Sequence, residues 1–481
     1  MALRDVQPEH RIVIIGGGFG GVYTAMALKK LCARRPDLRV TLVSRDNYFL
    51  MTPLLFEAGS GILEPRHAVN PIRPLFAGCD HVRFTEAEVT GVDFDRKLVR
   101  GAQSNGEPYE IGYDQLVIAL GSVTNTGLVK GAEHAMTFKV MGDAIFVRNH
   151  VIDAFERADV ERDPARRRAL VTFVVIGGGL VGVELIGELT EFVHNVKRYY
   201  ANVPDDEVRY VLIEAAPRLL AEMDDDLAGY ATDVLRKRRV DVRTGTKVGR
   251  VERGRVILPD RPDGAAGEVI DAATIIVSTG VRPNPLVDSF DALKKDPRGR
   301  IEVGGDMRSV SRPDVWALGD NAAIPDAHNP GKWYPPLAQH ALREGRLLAH
   351  NLIAAKDGQP TRPFVYSSKG TLASLGQFKG VGRVIPFGKK GVKIYGFVGW
   401  WVWRTYYLLQ MPRVSRRLRI MADWTLALLF RNDVAKLDTY GGEDLRKQVA
   451  RAPEALMPGT AVTGPAPDAT PARPPPQPVG A

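Results

Sequence analysis

Arg11-Ile-Val-Ile-Ile-Gly-Gly-Gly-Phe-Gly-Gly21 passes from β-branched residues into closely spaced glycines, and Thr172-Phe-Val-Val-Ile-Gly-Gly-Gly-Leu-Val-Gly182 repeats that pattern. A helical pattern follows each run, so both predict a strand, a tight turn and a helix. Because the pattern occurs twice and at wide spacing, it indicates two separate units and not a solenoid. The predicted fold class is α/β, with two Rossmann-type dinucleotide-binding domains.

The first turn has glycine at three positions, each for a different reason. Gly16 permits the tight turn, Gly18 lets the backbone approach a pyrophosphate, and Gly21 lets the helix pack closely on the strand. The phosphates then lie at the positive end of the helix. The next predicted strand ends at Ser44 and Arg45, where an acid is usual; the serine can still bind a ribose hydroxyl, and Arg45 can face a phosphate. The alternative is a plain glycine-rich turn.

The second turn repeats this spacing with Gly177, Gly179 and Gly182. The strand after it ends at Glu214, whose carboxylate would accept hydrogen bonds from both ribose hydroxyls and repel a 2′-phosphate. This predicts NADH in preference to NADPH; the alternative is a surface glutamate at a strand end. The long gap before Glu214 predicts an extended helix or an insertion around residues 199–206.

Two further acids are candidates for contacts with the cofactors. Glu184 lies two residues after Gly182, where it could contact a flavin or nicotinamide and relay a proton. The alternative is a glutamate near a helix N-terminus that the helix dipole stabilises. Asp320 ends the apolar run that begins at Val315, and it could accept hydrogen bonds from the ribityl hydroxyls of FAD.

Composition limits the class of protein. The 481 residues, 44% hydrophobic and 25% charged, are typical of a globular chain of two or three domains. The net charge of +9 suits nucleic acid, anionic lipid or an anionic cofactor. Cys32 and Cys79 are far apart in sequence and the histidines are scattered, so neither a disulfide framework nor a metal site is predicted. We recognise no signal peptide, and the cysteine usage fits a reducing cytosol.

The C-terminal part is aromatic and basic. Residues 397–411 carry three tryptophans and two tyrosines, a composition favoured at a membrane interface. The most apolar stretch, residues 394–411, contains Arg404 and Gln410 and is marginal in length for a span, so it is predicted to lie on a membrane or to pack in the protein. The alternatives are a core helix pair or a homodimer interface. The next stretch has a set of mostly apolar residues at helical spacing beside a group of arginines: Val414, Leu418, Met421, Thr425 and Leu428, with Arg413, Arg416, Arg417 and Arg419.

Taken together, these residues resemble the type II NADH dehydrogenase family, the single-subunit NADH:quinone oxidoreductases. The resemblance covers about residues 11–437, and its Thr-Pro-Leu-Leu and Ala-Gln-His-Ala segments are more specific than the glycine motifs, which all two-dinucleotide flavoproteins share. The motifs are Gly16-Gly-Gly-Phe-Gly-Gly21, Arg45-Asp-Asn-Tyr-Phe-Leu-Met-Thr-Pro-Leu-Leu55, Gly177-Gly-Gly-Leu-Val-Gly-Val-Glu184, Thr279-Gly-Val-Arg-Pro-Asn284, Leu318-Gly-Asp-Asn-Ala-Ala323 and Pro336-Leu-Ala-Gln-His-Ala341.

The resemblance implies a set of site residues. Glu184 is expected near the flavin and nicotinamide, Ala338 and Gln339 against the flavin ring in a quinone pocket, and Lys369 near the same site. The residues expected to hold FAD are Gly16, Gly18, Gly21, Ser44, Arg45, Thr52, Pro53 and Asp320. Those expected to hold NADH are Gly177, Gly179, Gly182, Glu214 and Gly280.

The predicted activity is oxidation of NADH by FAD followed by two-electron reduction of a membrane quinone, in a ping-pong reaction without proton pumping. The alternatives are a ferredoxin or rubredoxin reductase of the same architecture, and a redox-sensing protein that binds NADH and FAD with little turnover. The predicted partners are a quinone and the cytoplasmic face of the plasma membrane, with no nucleic acid and with a homodimer left open.

The domain organisation follows from the order of the motifs. Residues 1–167 and 284–390 are predicted to form the FAD-binding domain and residues 168–283 the NAD-binding domain. Residues 391–445 are predicted to be an amphipathic membrane-associating region, and 446–481, rich in Pro and Ala, a disordered tail.

Overall fold

The computed structural model describes residues 9–260, 264–385, 391–430 and 433–436, so the predicted tail and residues 437–445 lie outside it. Nine α-helices occur within the described residues. They are α1 (Phe19–Leu31), α2 (Leu55–Ser60), α3 (Met141–Val160), α4 (Pro164–Leu170), α5 (Leu180–Lys197), α6 (Asp225–Lys237), α7 (Ala338–Lys356), α8 (Gly396–Gln410) and α9 (Val414–Leu429).

The strands of the described residues are short except for one of twelve residues, β5. They are β1 (His10–Ile15), β2 (Leu38–Ser44), β3 (Tyr48–Leu50), β4 (Val69–Pro71), β5 (Val82–Asp93), β6 (Leu98–Gln103), β7 (Pro108–Gly112), β8 (Gln115–Ile118), β9 (Ser122–Thr124), β10 (Thr172–Ile176), β11 (Arg209–Ile213), β12 (Val240–Arg243), β13 (Arg250–Glu252), β14 (Arg255–Ile257), β15 (Val269–Asp271), β16 (Thr274–Val277), β17 (Val281–Pro283), β18 (Ile301–Glu302), β19 (Val315–Ala317), β20 (Ala322–Ala323), β21 (Gly370–Ser374), β22 (Gly380–Val384) and β23 (Val392–Tyr395).

A seven-stranded sheet with the order β19-β8-β1-β2-β5-β6-β7 contains the first glycine run. Strand β1 pairs in parallel with β2 on one side and β8 on the other, so Ile12 lies opposite both Val40 and Gln115. Its β-branched residues are buried, as is typical of parallel strands covered on both faces.

A four-stranded parallel sheet with the order β12-β11-β10-β16 contains the second run. Strand β10 lies between β11 and β16 just as β1 lies between β2 and β8. Each strand that leads into a glycine turn is therefore internal, and its carboxyl end is the place where open α/β sheets of this kind bind their ligands. The predicted mixed α/β fold class is confirmed.

The first sheet is built from two separated parts of the chain. Strand β19 returns to it after the second sheet is complete, and Val315 pairs with Leu116. Helix α7 follows β19 and packs on α1 so closely that a Cβ on Gly345 would lie 2.7 Å from the Gly20 carbonyl oxygen. The chain therefore leaves the first sheet, forms the second and returns to the first, in the order predicted for the FAD-binding and NAD-binding domains. The domain boundaries stay predictions.

Local elements agree with the sequence patterns at several points. Helix α3, of 20 residues, follows the first part of the seven-stranded sheet and precedes the second glycine run. The long gap before Glu214 is filled by α5, which ends at Lys197, and by an irregular segment over residues 198–208.

The C-terminal part begins with an antiparallel sheet, β21-β22-β23, and continues into α8 and α9. Helix α8 buries Trp403 and Arg404, and α9 buries Trp424. The apolar residues predicted at helical spacing on α9 are exposed, so a core-facing stripe is not what they form. Among the described residues, no helix combines the length and apolar character needed to cross a membrane.

Candidate active site

Two positions of the first glycine turn, Gly16 and Gly21, leave no room for a residue larger than glycine. Gly16 has φ +112°, and a Cβ there would lie 2.2 Å from the Ala119 carbonyl oxygen. A Cβ on Gly21 would lie 1.9 Å from the Gly16 carbonyl oxygen. By contrast, no atom lies within 4 Å of the Cβ position of Gly18, at the start of α1. The turn therefore presents open space and helix N–H groups where a pyrophosphate binds.

The second turn repeats this geometry almost without change. Gly177 has φ +113°, and a Cβ on Gly182 would lie 1.8 Å from the Gly177 carbonyl oxygen. No atom lies within 4 Å of the Cβ position of Gly179, at the start of α5, and the same is true of Gly280, after β16. The chain therefore contains two glycine turns of equivalent geometry.

The side chains at the two strand ends lie against their turns. At the end of β2, Ser44 Oγ is 2.5 Å from the position that a Cβ on Gly17 would occupy. At the end of β11, Glu214 accepts hydrogen bonds from the N–H groups of Gly178 (2.5 Å) and Ala216 (2.6 Å). Both side chains thus lie at the end of the strand that follows a glycine turn, the position from which a Rossmann-type fold contacts a ribose. Arg45 is exposed and pairs with Asp46 at 3.4 Å.

Thr52 and Pro53 form a short 3-10 turn between β3 and α2. The Met51 N–H anchors this turn by donating a hydrogen bond to the Ala68 carbonyl oxygen at 3.0 Å. Phe49, just before it, packs edge-on against Phe19 at the start of α1. The Thr-Pro segment therefore lies beside the first glycine turn.

Asp320 lies in a 3-10 turn, Gly319–Asn321, at the end of β19. Its carboxylate accepts a hydrogen bond from Ser122 Oγ at 2.6 Å. The buried Asn321 ties the turn to β8 by accepting from the Gly121 N–H and donating to the Ile118 carbonyl oxygen. The turn is thereby held beside the carboxyl end of the first sheet.

Glu344, which the sequence analysis missed, supports the same turn from α7. It accepts a hydrogen bond from the Gly319 N–H at 2.8 Å, and burial raises its pKa to about 8. No motif pointed to this residue; its position on the buried face of α7, five residues after Gln339, is the signal that could have found it.

Ala338 and Gln339 begin helix α7, next to that turn. The Gln339 side-chain oxygen accepts a hydrogen bond from Tyr366 Oη at 3.3 Å. Arg343 stacks on the Tyr366 ring, with 4.5 Å to the ring centroid, and donates to the Gln339 carbonyl oxygen. Lys369 lies three residues after Tyr366, and its carbonyl oxygen accepts a hydrogen bond from the Ile385 N–H. The structure thus brings Gln339 and the segment that carries Lys369 together.

Glu184 is buried, unlike an exposed glutamate that stabilises a helix start. Its Oε1 atom accepts hydrogen bonds from the Ser374 backbone N–H and from Trp403 Nε1, both at 2.9 Å. Burial raises the pKa of Glu184 to about 8, and the same cause raises that of Glu188, one helical turn away. Glu184 is therefore protonated in part near neutral pH and can donate a proton.

Arg404, which interrupts the apolar stretch in the sequence, is buried in an ion pair. Its Nε donates to Glu57 Oε1 at 2.8 Å, and Trp424 Nε1 donates to Glu57 Oε2 at 2.6 Å. The guanidinium lies between the rings of Trp400 and Trp424. This cluster fastens α8 and α9 to α2, directly after the Thr-Pro turn.

Comparison with known proteins agrees with this geometry. Residues 10–345 match the pyridine nucleotide-disulphide oxidoreductase family, and residues 368–433 match the NDH2 C-terminal domain. A probable NADH dehydrogenase of Dictyostelium discoideum is 31% identical over 89% of this chain and 91% of its own length. A type II NADH:quinone oxidoreductase of Staphylococcus aureus is 30% identical over 80% of this chain and 91% of its own length. The chain belongs to the type II NADH dehydrogenase family.

Membership of the type II NADH dehydrogenase family confirms the predicted enzyme class, a flavin-dependent NADH dehydrogenase, and the predicted cofactors FAD and NADH. In fold, the chain is similar to NDH2 of Plasmodium falciparum in complex with NADH, with a TM-score of 0.79 at 20% identity, over 89% of this chain and 100% of that one. The described residues contain no group of histidine, cysteine and acidic side chains that could hold a metal ion.

Other proteins share this fold with the type II NADH dehydrogenases, so the fold alone does not distinguish these families. The sulfide:quinone oxidoreductase of Aquifex aeolicus has a TM-score of 0.63 at 19% identity, over 89% of this chain and 96% of that one. Here the buried Cys32 follows the last turn of α1, about 20 Å along the helix from Gly18. Cys32 is therefore remote from the first glycine turn.

Proposed function

We propose that this chain passes electrons from NADH to a membrane quinone in two separate half-reactions on one flavin, without proton pumping. The observation that carries the proposal is the pair of equivalent glycine turns, each with a polar side chain at the neighbouring strand end. When bound, FAD supplies the two-electron chemistry, because its ring can accept a hydride and later give up an electron pair.

The residues proposed to hold FAD come from both parts of the first sheet. The turn at Gly16 and Gly18 offers room and N–H groups for the pyrophosphate, Ser44 faces the ribose, and Asp320 faces the ribityl hydroxyls. A Cβ on Gly16 or Gly21 would clash with the backbone, whereas the space at Gly18 is open. The turn therefore has room for a phosphate group because glycine stands at these positions. Thr52, Pro53, Gly21 and Arg45 complete the proposed set.

The residues proposed to hold NADH are those of the second turn, with Gly280 opposite. Glu214 is fixed by two backbone N–H groups, so its carboxylate is already oriented before the cofactor arrives. A carboxylate there accepts from the two ribose hydroxyls and repels a 2′-phosphate. This supports NADH as the preferred donor. The proposed set is Gly177, Gly179, Gly182, Glu214 and Gly280.

The quinone is proposed to bind at the start of α7, beside Ala338, Gln339 and Lys369. The overall reaction takes up one proton from solution for each NADH and quinone consumed. Glu184 is proposed to deliver this proton, because it is buried, holds a proton in part at neutral pH and is fixed by two donors.

A quinone dissolved in lipid requires that the enzyme reach the membrane surface, and we propose that α8 and α9 do so. They expose a group of apolar side chains beside Arg413, Arg416, Arg417 and Arg419, which suits anionic lipid. The exposed residues are Phe397, Val398, Trp401, Leu409, Val414, Leu418, Met421, Leu426, Leu428, Leu429 and Phe430. The proposed location is peripheral, on the cytoplasmic face of the plasma membrane.

One set of measurements tests the activity. Purified protein is expected to be yellow, and stopped-flow absorbance is expected to show NADH bleaching the flavin and a soluble quinone restoring it. NADPH is expected to bleach it more slowly. Flavin that NADH cannot bleach, or reduced flavin that reacts with an iron–sulfur protein but with no quinone, contradicts the proposal.

A further inference from the structure

Helix α8 connects the exposed apolar surface to the buried proton-donating group. Trp401 is 56% exposed, whereas Trp403, two residues further, is 1% exposed. The indole of Trp403 points to the interior, where its N–H reaches α5. One short helix therefore bears both the proposed lipid-facing side chains and a contact to Glu184.

The contact between Trp403 and Glu184 is specific in its geometry. Trp403 Nε1 donates to Glu184 Oε1 at 2.9 Å, and the Ser374 backbone N–H donates to the same oxygen at 2.9 Å. Among the described residues no donor reaches Oε2. One carboxyl oxygen is thus fixed, and the other stays available to exchange a proton.

The groups around Glu184 make these neutral donors important. Glu57, on α2, pairs with Arg404, on α8, at 2.8 Å, so this cation is already engaged. Two further groups, Glu188 on α5 and Tyr407 on α8, also lie near Glu184 and offer no positive charge. The orientation and acidity of Glu184 therefore depend on two N–H groups, one of which belongs to a side chain.

We infer that Trp403 is a positioning residue for Glu184: its indole N–H fixes one carboxyl oxygen and keeps the other free to give its proton to the quinone. This inference rests on the proposed function. An N–H donor stabilises the charged form of a carboxyl, so loss of the donor must make Glu184 a weaker acid.

A spectroscopic test requires no quinone. In protein labelled with ¹⁵N at the tryptophan indoles, the Trp403 Nε1–H signal is expected to shift with pH, with a midpoint near pH 8, where Glu184 titrates. The shift is expected to disappear in Glu184→Gln. Trp400 lies on the same helix, and its buried Nε1 has no hydrogen-bond partner among the described residues, so its signal is the internal control.

A kinetic test uses two matched variants, Trp403→Phe and Trp400→Phe, each of which keeps a ring and removes an indole N–H. The rate of flavin reoxidation by a soluble quinone is measured from about pH 6 to about pH 10. In Trp403→Phe the inflection is expected to move to higher pH by about one unit, the effect of one charge-assisted hydrogen bond. In Trp400→Phe it is expected to stay where the wild type has it.

The outcomes separate this inference from the proposed function. A Trp403 signal that does not respond to pH, or that responds equally in Glu184→Gln, overturns the inference even if Trp403→Phe fails to fold. Coincident pH profiles of Trp403→Phe and the wild type also overturn it. Reduced wild-type flavin that no quinone reoxidises refutes the proposed function, and the indole titration then still decides whether Trp403 holds Glu184.

Discussion

Two glutamates show how the fold gives one type of side chain two different uses. Glu184 is buried, and removal from water holds its pKa near 8, so it can carry a proton to a reaction at neutral pH. Glu214 is only half-buried and accepts two backbone N–H groups beside a phosphate turn. The first suits proton donation and the second suits recognition of a ribose.

Replacement of Glu184 by Gln tests the first role. The protonated form of Glu184 predominates below about pH 8, so wild-type quinone reduction is expected to slow as pH rises through that value. Glu184→Gln is expected to lose this pH dependence and to reoxidise its flavin about a hundredfold more slowly. Flavin reduction by NADH, followed separately by stopped flow, is expected to change little. An unchanged pH profile in the variant contradicts a proton-donating role.

Replacement of Glu214 by Gln tests the second role. The amide keeps the shape of the side chain but removes the charge that repels a 2′-phosphate. The ratio of kcat/KM for NADH to that for NADPH is expected to fall about tenfold, the effect of one hydrogen bond to a charged group. Asp241→Asn, on the neighbouring strand β12, serves as the control and is expected to keep the ratio of the wild type. A ratio that Glu214→Gln leaves unchanged places the ribose elsewhere.

The molecule contains the unit of strand, glycine turn and helix twice. Gly16 and Gly177 have φ values of +112° and +113°, and each turn has a later glycine, Gly21 or Gly182, pressed against its carbonyl oxygen. A side chain at that later position must displace the helix from the turn. The two turns can therefore be altered independently by substitution.

Gly182→Ala is expected to yield yellow protein whose flavin NADH no longer reduces, because the added Cβ would lie 1.8 Å from the Gly177 carbonyl oxygen. Gly21→Ala is expected instead to lose flavin, measured as the ratio of visible to ultraviolet absorbance. Gly229→Ala is the control: it lies within α6 with open space around it, and alanine there is expected to stabilise the protein by about 1 kcal/mol. Loss of flavin in Gly182→Ala would contradict the assignment of one cofactor to each turn.

The sequence predicted the parts of the molecule that depend on neighbours along the chain. Strand, turn and helix follow from a short run of β-branched residues and glycines, and both copies were found where expected. The partners of Glu184 could not be found in this way, because Ser374 and Trp403 lie 190 and 219 residues further along the chain. For the same reason Arg404 read as a polar interruption in an apolar stretch, although it pairs with Glu57.

At the scale of the whole molecule, the exposed apolar side chains are concentrated at the C-terminal end, beside its arginines. Leu418 and Leu429 are 61% and 73% exposed on α9, while Ile420 and Trp424 of the same helix are buried. The helix therefore has one face toward the protein and one face available to lipid. The ion pair of Glu57 and Arg404 holds this surface to the element that follows the Thr-Pro turn.

The double variant Leu418→Ser and Leu429→Ser is expected to bind vesicles of anionic lipid at least tenfold more weakly, since each leucine buried in lipid contributes about 1.5 to 3 kcal/mol. Binding is measured by co-sedimentation. The matched control replaces two exposed apolar residues that lie outside α8 and α9, Leu128 and Val160, by serine and is expected to bind as the wild type does. Unchanged vesicle binding contradicts a lipid-facing role, and a change from dimer to monomer in the double variant identifies the face as a subunit contact.

The return of β19 to the first sheet has a consequence for the order of events during synthesis on the ribosome. The second sheet, from Thr172 to Val277, is continuous in the chain and can form as soon as it emerges. The first sheet cannot be completed at that stage, because β8 pairs with β1 on one side but has no partner on its other side until Val315 has been translated. A nascent chain that stops between these points holds a complete second sheet and an incomplete first sheet, with an open strand edge exposed to aggregation.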